Sequence, residues 1–332
     1  MAEKRTHSIA IVGSETLLGK EIREVLGATP LGEDLRLVAA EDEQAGAMAE
    51  IHGEPTVLAK LTPGALEGAT AIILAGSGET TEDVVELRPD APLIDVTYAA
   101  EENPAARLRA PMVEAPETKP PKDAIHVIAH PAAIAIAMIL GRIHVVFPIK
   151  RAVIQVFEPA SERGTPGIEE LQQQTVSLLS FKTMPKTVFD EQLAFTLLAC
   201  WGSDATATLE DVEMRVERHL ASLLAGSSHA PMPSIRLIQA PVFHGYSASL
   251  WIELDDNPGI AAIEQTLADV HVDVRGRDAE APNNVSVAGQ NEIAVGVIRA
   301  DRNQPNALWM WMAVDNLRLT AQNAAMVVKD LI

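Results

Sequence analysis

The 332-residue chain has a single cysteine, Cys200. One thiol excludes an internal disulfide framework and any cysteine-based metal cluster, and it suits a reducing, cytoplasmic compartment. Long hydrophobic runs are also missing. Hydrophobic residues make up 47% of the chain, enough for full cores. Mean hydropathy is nevertheless only +0.10, and no apolar run reaches the ~18 residues that a membrane span needs. Residues 1–7 lead straight into an apolar strand, without the apolar region and cleavage site of a secretory signal. Positive charge is scarce: 26 Lys and Arg stand against 46 Asp and Glu, a net charge of −20. Nucleic acid and anionic membranes are therefore poor partners, because like charges repel. The acids are dispersed, as on a solvated surface.

The length is that of about two domains at ~150 residues each. In the first part, short apolar runs at 8–12, 35–40, 70–75, 92–95 and 126–129 alternate with helical spacing, as at Leu17, Leu18, Ile22 and Leu26. This alternation predicts a parallel sheet with crossover helices, a Rossmann-like domain. The alanine-rich run Ile134–Leu140 reads as a buried helix. Beyond about residue 150 the pattern changes. Runs at 150–157, 235–240, 246–254 and 293–300 alternate or carry β-branched residues, with helical stretches at 166–180 and 208–225. They predict an α+β domain with a largely antiparallel sheet. The last segment, 314–332, has an apolar face at Leu317, Ala321, Ala324, Val328 and Leu331, so it should dock as a helix, with the first domain as a natural surface.

One candidate ligand site is Gly13-Ser-Glu-Thr-Leu-Leu-Gly19, between the first strand and the first helix. Glycines there permit a tight turn and close approach of a pyrophosphate to the helix N-terminus. Gly13, Ser14, Thr16, Leu17 and Gly19 are the cofactor-binding candidates. The middle glycine position holds Thr16, and Glu15 adds a carboxylate where phosphate would approach. After the second strand come Glu41, Asp42 and Glu43. An acid here can bind a ribose 2′-hydroxyl, whereas a 2′-phosphate needs a cation. NADP is therefore disfavoured and NAD, through Glu41, stays compatible; neither is established by these residues.

Several segments, in order, resemble the aspartate-semialdehyde dehydrogenase family over most of the chain. They are the glycine turn, Val127–Ala135, Gly164-Thr-Pro-Gly-Ile-Glu-Glu-Leu-Gln-Gln-Gln-Thr175, Gln192–Phe195, Pro241-Val-Phe-His-Gly-Tyr-Ser247 and Trp311-Met-Ala-Val-Asp-Asn-Leu-Arg318. The resemblance implies a Rossmann-like domain at 7–131 with 314–332, and a dimerisation and substrate domain at 132–313 that forms a homodimer through a sheet face. It implies a cysteine nucleophile, a histidine acid/base, a positioning glutamine, a substrate-binding arginine and NADP, with Asn316 on the cofactor side. The family's substrate segment has become Val113-Glu-Ala-Pro116 and its Asn-Pro pair His130-Pro131.

The chain departs from that pattern at every reacting position. Ala133 takes the place of the nucleophile, Glu158 of the glutamine, Gln239 of the arginine, Tyr246 of the histidine, and Glu43 of the arginine that selects a 2′-phosphate. A methyl group cannot attack an aldehyde. The expected function is thus that of a catalytically degenerate family member with a binding, regulatory or structural role. An oxidoreductase of altered mechanism and a small-ligand sensor are the alternatives, with a small molecule or a protein as partner. Glu158 and Tyr246 could bind a cationic or polyol ligand, or pair to fill an old cavity. His130 and His244 could supply a base. His126 and His130 bracket a strand and its exit turn, where their spacing does not converge on a metal. Cys200, in the apolar run Leu197–Trp201, reads as a buried structural residue.

Overall fold

The structure, a computed structural model, describes residues 7–40, 43–51, 53–115, 121 and 123–332. It divides into two compact units, Met1–Ala129 with Thr320–Ile332, and His130–Leu319. Among the described residues no helix is long and apolar enough to cross a membrane.

The first unit contains strands β1 (Ile9–Val12), β2 (Leu35–Val38), β3 (Met48–Ile51), β4 (Glu54–Val57), β5 (Ala71–Leu74), β6 (Leu93–Asp95), β7 (Ala106–Arg109) and β8 (Ile125–Ile128), with helices α1 (Leu17–Gly27), α2 (Pro63–Leu66) and α3 (Gly78–Leu87). Six strands form a sheet of order β2-β1-β5-β6-β8-β7, parallel throughout. Runs such as Ala71–Leu74 are buried along their whole length, which a parallel sheet covered on both faces requires. Ala10, Val12, Val38, Ile72, Leu74 and Val127 share one core. The β3–β4 hairpin stands apart as an antiparallel pair.

The second unit begins with α4 (Pro131–Val146) and continues through β9 (Ile149–Glu158), α5 (Gly164–Leu179), α6 (Leu209–Gly226), β10 (Ser234–Gln239), β11 (Tyr246–Leu254), α7 (Ile260–Leu267), β12 (Val272–Arg275), β13 (Ile293–Ala300) and β14 (Ala307–Val314). Over Pro131–Leu140 helix α4 is apolar on all sides and buried; such a stretch is stable only inside a core. Pro131 starts it without sacrificing a hydrogen bond. Its sheet has the order β10-β9-β11-β14-β13-β12. The central pairings are antiparallel, while the outer pairs β9/β10 and β12/β13 are parallel. The β9/β10 pair is parallel because a connection containing α5 and α6 returns the chain to β9's edge in the same direction.

The terminal helix α8 (Asn316–Leu331) crosses the boundary between the units in sequence. It starts after Val314, which still belongs to β14. Leu319, Ala321, Ala324, Val327, Val328 and Leu331 are buried. Leu317, expected on this face, is half-buried. Within the first unit, Arg109 is 2% exposed. Its Nε faces both Glu114 oxygens at 3.0 Å, and Nη2 reaches Asp330 of α8 at 2.9 Å. His126 Nδ1 lies 3.3 Å from Arg109 Nη1. A buried guanidinium needs such partners, because losing one leaves a charge uncompensated.

Burial, followed by the Arg109 charge, lowers the His126 pKa from 6.5 to about 4, against the opposing pull of Asp330. The folded chain thus holds the ring neutral where the unfolded chain protonates it. This contribution to stability is complete above pH 6.5 and is lost as pH falls toward 4. His126→Gln should lose less stability than the parent between about pH 7 and pH 4.5, read by urea unfolding. Equal losses in the two proteins would refute this account.

Candidate functional site

Three strand ends in the second unit place the expected site residues side by side. Glu158 is the last residue of β9, Gln239 the last of β10 and Tyr246 the first of β11. Gln239 is the register partner of Glu158, and the pairing Ser247↔Phe157 sets Tyr246 next to Glu158 on the other side. Strand alternation turns all three toward the buried face of the sheet. The start of α4 joins them there. His130 caps that helix, its Nδ1 accepting from the Ala132 amide at 3.3 Å, and its ring meets the Tyr246 ring edge-on, with centroids 5.9 Å apart. Ala133, in the first turn of α4, is 0% exposed, as are Glu158, Gln239 and Tyr246.

This cluster has an unusual hydrogen-bond balance. Gln239 Nε2 donates to the Glu158 carbonyl at 2.9 Å and to the Ala240 carbonyl at 3.4 Å, while its Oε1 has no partner. Neither carboxyl oxygen of Glu158 has a hydrogen bond; the nearest cation, Arg163 Nη2, is 3.8 Å away. Burial pushes the Glu158 pKa up to about 8, against the opposing pull of Arg163. Glu158 is therefore a neutral acid at neutral pH, as expected for a carboxyl group taken out of water without a matched partner.

A second group of polar residues borders the first. The Glu162 pKa is also raised by burial. Glu162 accepts from Asn316 Nδ2 at 2.6 Å and faces His130 Nε2 at 3.7 Å. Asn316 also accepts from the Gly245 amide at 3.1 Å and bonds Ser161, so its amide serves as a strut within the second unit. His244 pairs with Asp315 at 2.9 Å through Nε2 and approaches Ser161 Oγ at 3.3 Å through Nδ1. Asp315 also caps α8 through the Arg318 amide at 3.0 Å. Arg163 stacks over Trp201 at 5.1 Å. The roles of Glu162, Arg163, Asp315 and Trp201 were not read from sequence. The one local signal was Glu158-Pro-Ala-Ser-Glu-Arg-Gly164, which brings two acids and a base into one short segment at the end of β9.

Cys200 corrects an expectation. It is exposed. Its apolar run lies in an irregular segment where Leu198 bridges Gln239 and Trp201 packs on Phe189, leaving Leu197 and Cys200 turned outward. His126 belongs to the Arg109 cluster and His130 to the α4 cap. Among the described residues no three His, Cys, Asp or Glu side chains are placed to hold a metal.

The glycine turn lies in the first unit. Gly13 has φ +81°, and a Cβ there would stand 2.3 Å from the Gly76 nitrogen. At Gly19 a Cβ would meet the Gly13 carbonyl at 2.1 Å, so the turn and the helix pack only with glycine at both places. Thr16 caps α1, accepting from the Gly19 amide at 2.9 Å. Ser14 is buried, and its hydroxyl has no partner. Leu17 opens the helix and is half-buried. Glu15 pairs with Arg23 at 2.5 Å and Lys20 at 3.5 Å. Its backbone amide donates to Glu43 Oε1 at 2.8 Å, and Glu43 Oε2 accepts from the Ala40 amide at 3.0 Å. Glu41 and Asp42 lie outside the described residues.

Residues 140–319 match the family model described as semialdehyde dehydrogenase, dimerisation domain. The chain belongs to the semialdehyde dehydrogenase family. It is 26% identical to the aspartate-semialdehyde dehydrogenase of Prochlorococcus marinus, across 99% of this chain and 96% of that one. It is also 26% identical to the enzyme of the same name from Aquifex aeolicus, over 98% of each. A USG-1 protein homolog of Pseudomonas aeruginosa is 32% identical over 52% of this chain and 51% of its own length. The fold is that of a probable aspartate-semialdehyde dehydrogenase from Pseudomonas aeruginosa, with a TM-score of 0.82, 22% identity and 98% of each chain covered.

For a semialdehyde dehydrogenase relative, the cost of Glu158 has a definite pH dependence. The unfolded chain releases this proton near pH 4.5 and the folded chain near pH 8. Stability is untouched below the first value and falls as pH rises through the window. Glu158→Gln has the neutral shape at every pH. It should raise the unfolding midpoint at pH 8, by about 2–4 °C for each kcal/mol gained, and change it little at about pH 5. The thermal melts at the two pH values check this; a uniform shift, or a loss at pH 8, would contradict it.

Proposed function

We propose that this family member is a homodimer that has lost aldehyde oxidation and is retained for a binding, regulatory or structural role. The observation that carries the reading is Ala133: the position corresponding to the family nucleophile bears a methyl group with no exposed surface. A covalent acyl intermediate needs a nucleophile with a removable proton, and alanine has none. The neighbouring substitutions support the same conclusion. Tyr246 and Gln239 bring no imidazole and no guanidinium to the positions of the acid/base and the substrate anchor. The Glu158 carboxyl, neutral at physiological pH, offers no fixed charge to a substrate. An exposed free thiol at Cys200 suits a reducing cytoplasm.

The dimer reading rests on the second unit's sheet. One face carries α4, α6 and α7. The other presents Val153, Phe157, Trp251, Trp309 and Trp311, all exposed or half-buried. Trp309 is 39% exposed, and Phe157 and Trp311 lie 5.8 Å apart. Aromatic residues in a contiguous patch are typical of protein interfaces, and the matching family model is that of a dimerisation domain.

Two measurements test these readings. Purified protein should produce no substrate-dependent NADH or NADPH from aspartate semialdehyde and phosphate, and a measurable rate that scales with enzyme would overturn the reading. In sedimentation velocity the chain should run at twice its 35.6 kDa mass, and Trp309→Glu should run at the monomer mass. A monomeric parent would rule out the dimer.

A further inference from the structure

We propose that Glu43 acts as a tethered internal anion, seated on the amide of the glycine turn, and that it closes this turn to the pyrophosphate of a dinucleotide. The turn has the form that binds phosphate elsewhere: a strand end, two sterically required glycines and the N-terminus of α1. Its residues do not fit that ligand. The Glu15 amide, which would face a phosphate oxygen, is given to Glu43 Oε1 at 2.8 Å. The second oxygen of the same carboxylate holds the Ala40 amide at 3.0 Å. Glu43 thus bridges the end of β2 and the start of α1 with both oxygens, which a carboxylate can do and an aliphatic side chain cannot.

The surroundings reinforce this closure. Arg23 and Lys20, the cations of α1 nearest the turn, are committed to Glu15. A pyrophosphate would arrive beside two carboxylates with no uncommitted cation of α1 to meet it, and like charges at this range repel. It would also have to displace an anion that cannot diffuse away. A tethered group competes at an effective concentration of ~1 mM or more. The position that would carry a 2′-phosphate-selecting arginine in the family pattern thus carries an anion that sits on the turn's own amide. This inference concerns binding alone and stands independently of the loss of aldehyde chemistry, which is read from turnover.

The test is titration with NADH and NADPH, followed by nucleotide fluorescence and by calorimetry. The parent, Glu43→Ala, Glu43→Gln and the control Glu54→Ala are compared, the control removing one exposed acid from the same unit. The parent and Glu54→Ala should show no saturable binding up to about 1 mM. Glu43→Ala should bind at least tenfold more tightly, with Glu43→Gln, which keeps one acceptor and loses the charge, between them. Saturable binding to the parent below about 1 mM would overturn the proposal, as would a folded Glu43→Ala protein with no gain. Should Glu43→Ala fail to fold, Glu43→Gln decides the matter: a gain supports the internal anion and no gain refutes it.

Discussion

The second unit depends on the burial of Pro131–Leu140, the greater part of α4, which has no polar side to show to water. The sixteen residues of α4 begin at Pro131, and its first turn falls where the strand ends of Glu158, Gln239 and Tyr246 converge. A stretch of this kind must be enclosed, so every residue at its N-terminus is committed to packing or to capping. Ala132 and Ala133 satisfy this demand with methyl groups. His130 satisfies it with a ring that caps the helix and meets Tyr246. The enclosure that the fold requires is provided here by two methyl groups and an imidazole.

The same enclosure explains the electrostatics. Two carboxyl groups, Glu158 and Glu162, are held away from water, and burial raises the pKa of both. Their environments differ. Glu162 has an amide donor from Asn316 and a nearby imidazole, whereas Glu158 has only a guanidinium beyond hydrogen-bond reach. A chain tolerates one such group when the rest of the core supplies enough burial energy. The Asp315–His244 pair is of the opposite kind. Hydrogen bonds from His244 and from the Arg318 and Gly289 amides outweigh burial and hold the Asp315 pKa below its usual range.

Features encoded locally were legible in the sequence. Runs such as Ile9–Val12 and Ala71–Leu74 are apolar because both faces of a parallel sheet are covered, and they read directly as strands. The glycine turn was legible for the same reason: Gly13 and Gly19 mark backbone positions that exclude a Cβ. Strand β14 was not. Ala307-Leu-Trp-Met-Trp-Met-Ala-Val314 contains one β-branched residue, and its central place follows from pairing with β11 and β13. Long-range partners were equally hidden. Glu43 lies 28 residues from the amide that it holds, and nothing in its own neighbourhood points to Glu15. The exposure of Cys200 depends on which members of an apolar run an irregular segment turns inward, and periodicity carries no information about that.

Asp301 has a consequence of an optical kind. Its Oδ2 accepts from the indole nitrogens of Trp251 at 3.0 Å and Trp309 at 2.7 Å, so two rings on the open sheet face are fixed by one carboxylate. Three of the chain's four tryptophans, Trp251, Trp309 and Trp311, occupy that face. The fourth, Trp201, lies under Arg163 and packs on Phe189. Tryptophan emission therefore comes from two separate populations, one sensitive to whatever covers the sheet and the other to the packing of Arg163 and Phe189 on Trp201. Replacing Trp201 with phenylalanine would leave a chain whose intrinsic fluorescence reports on the sheet face alone.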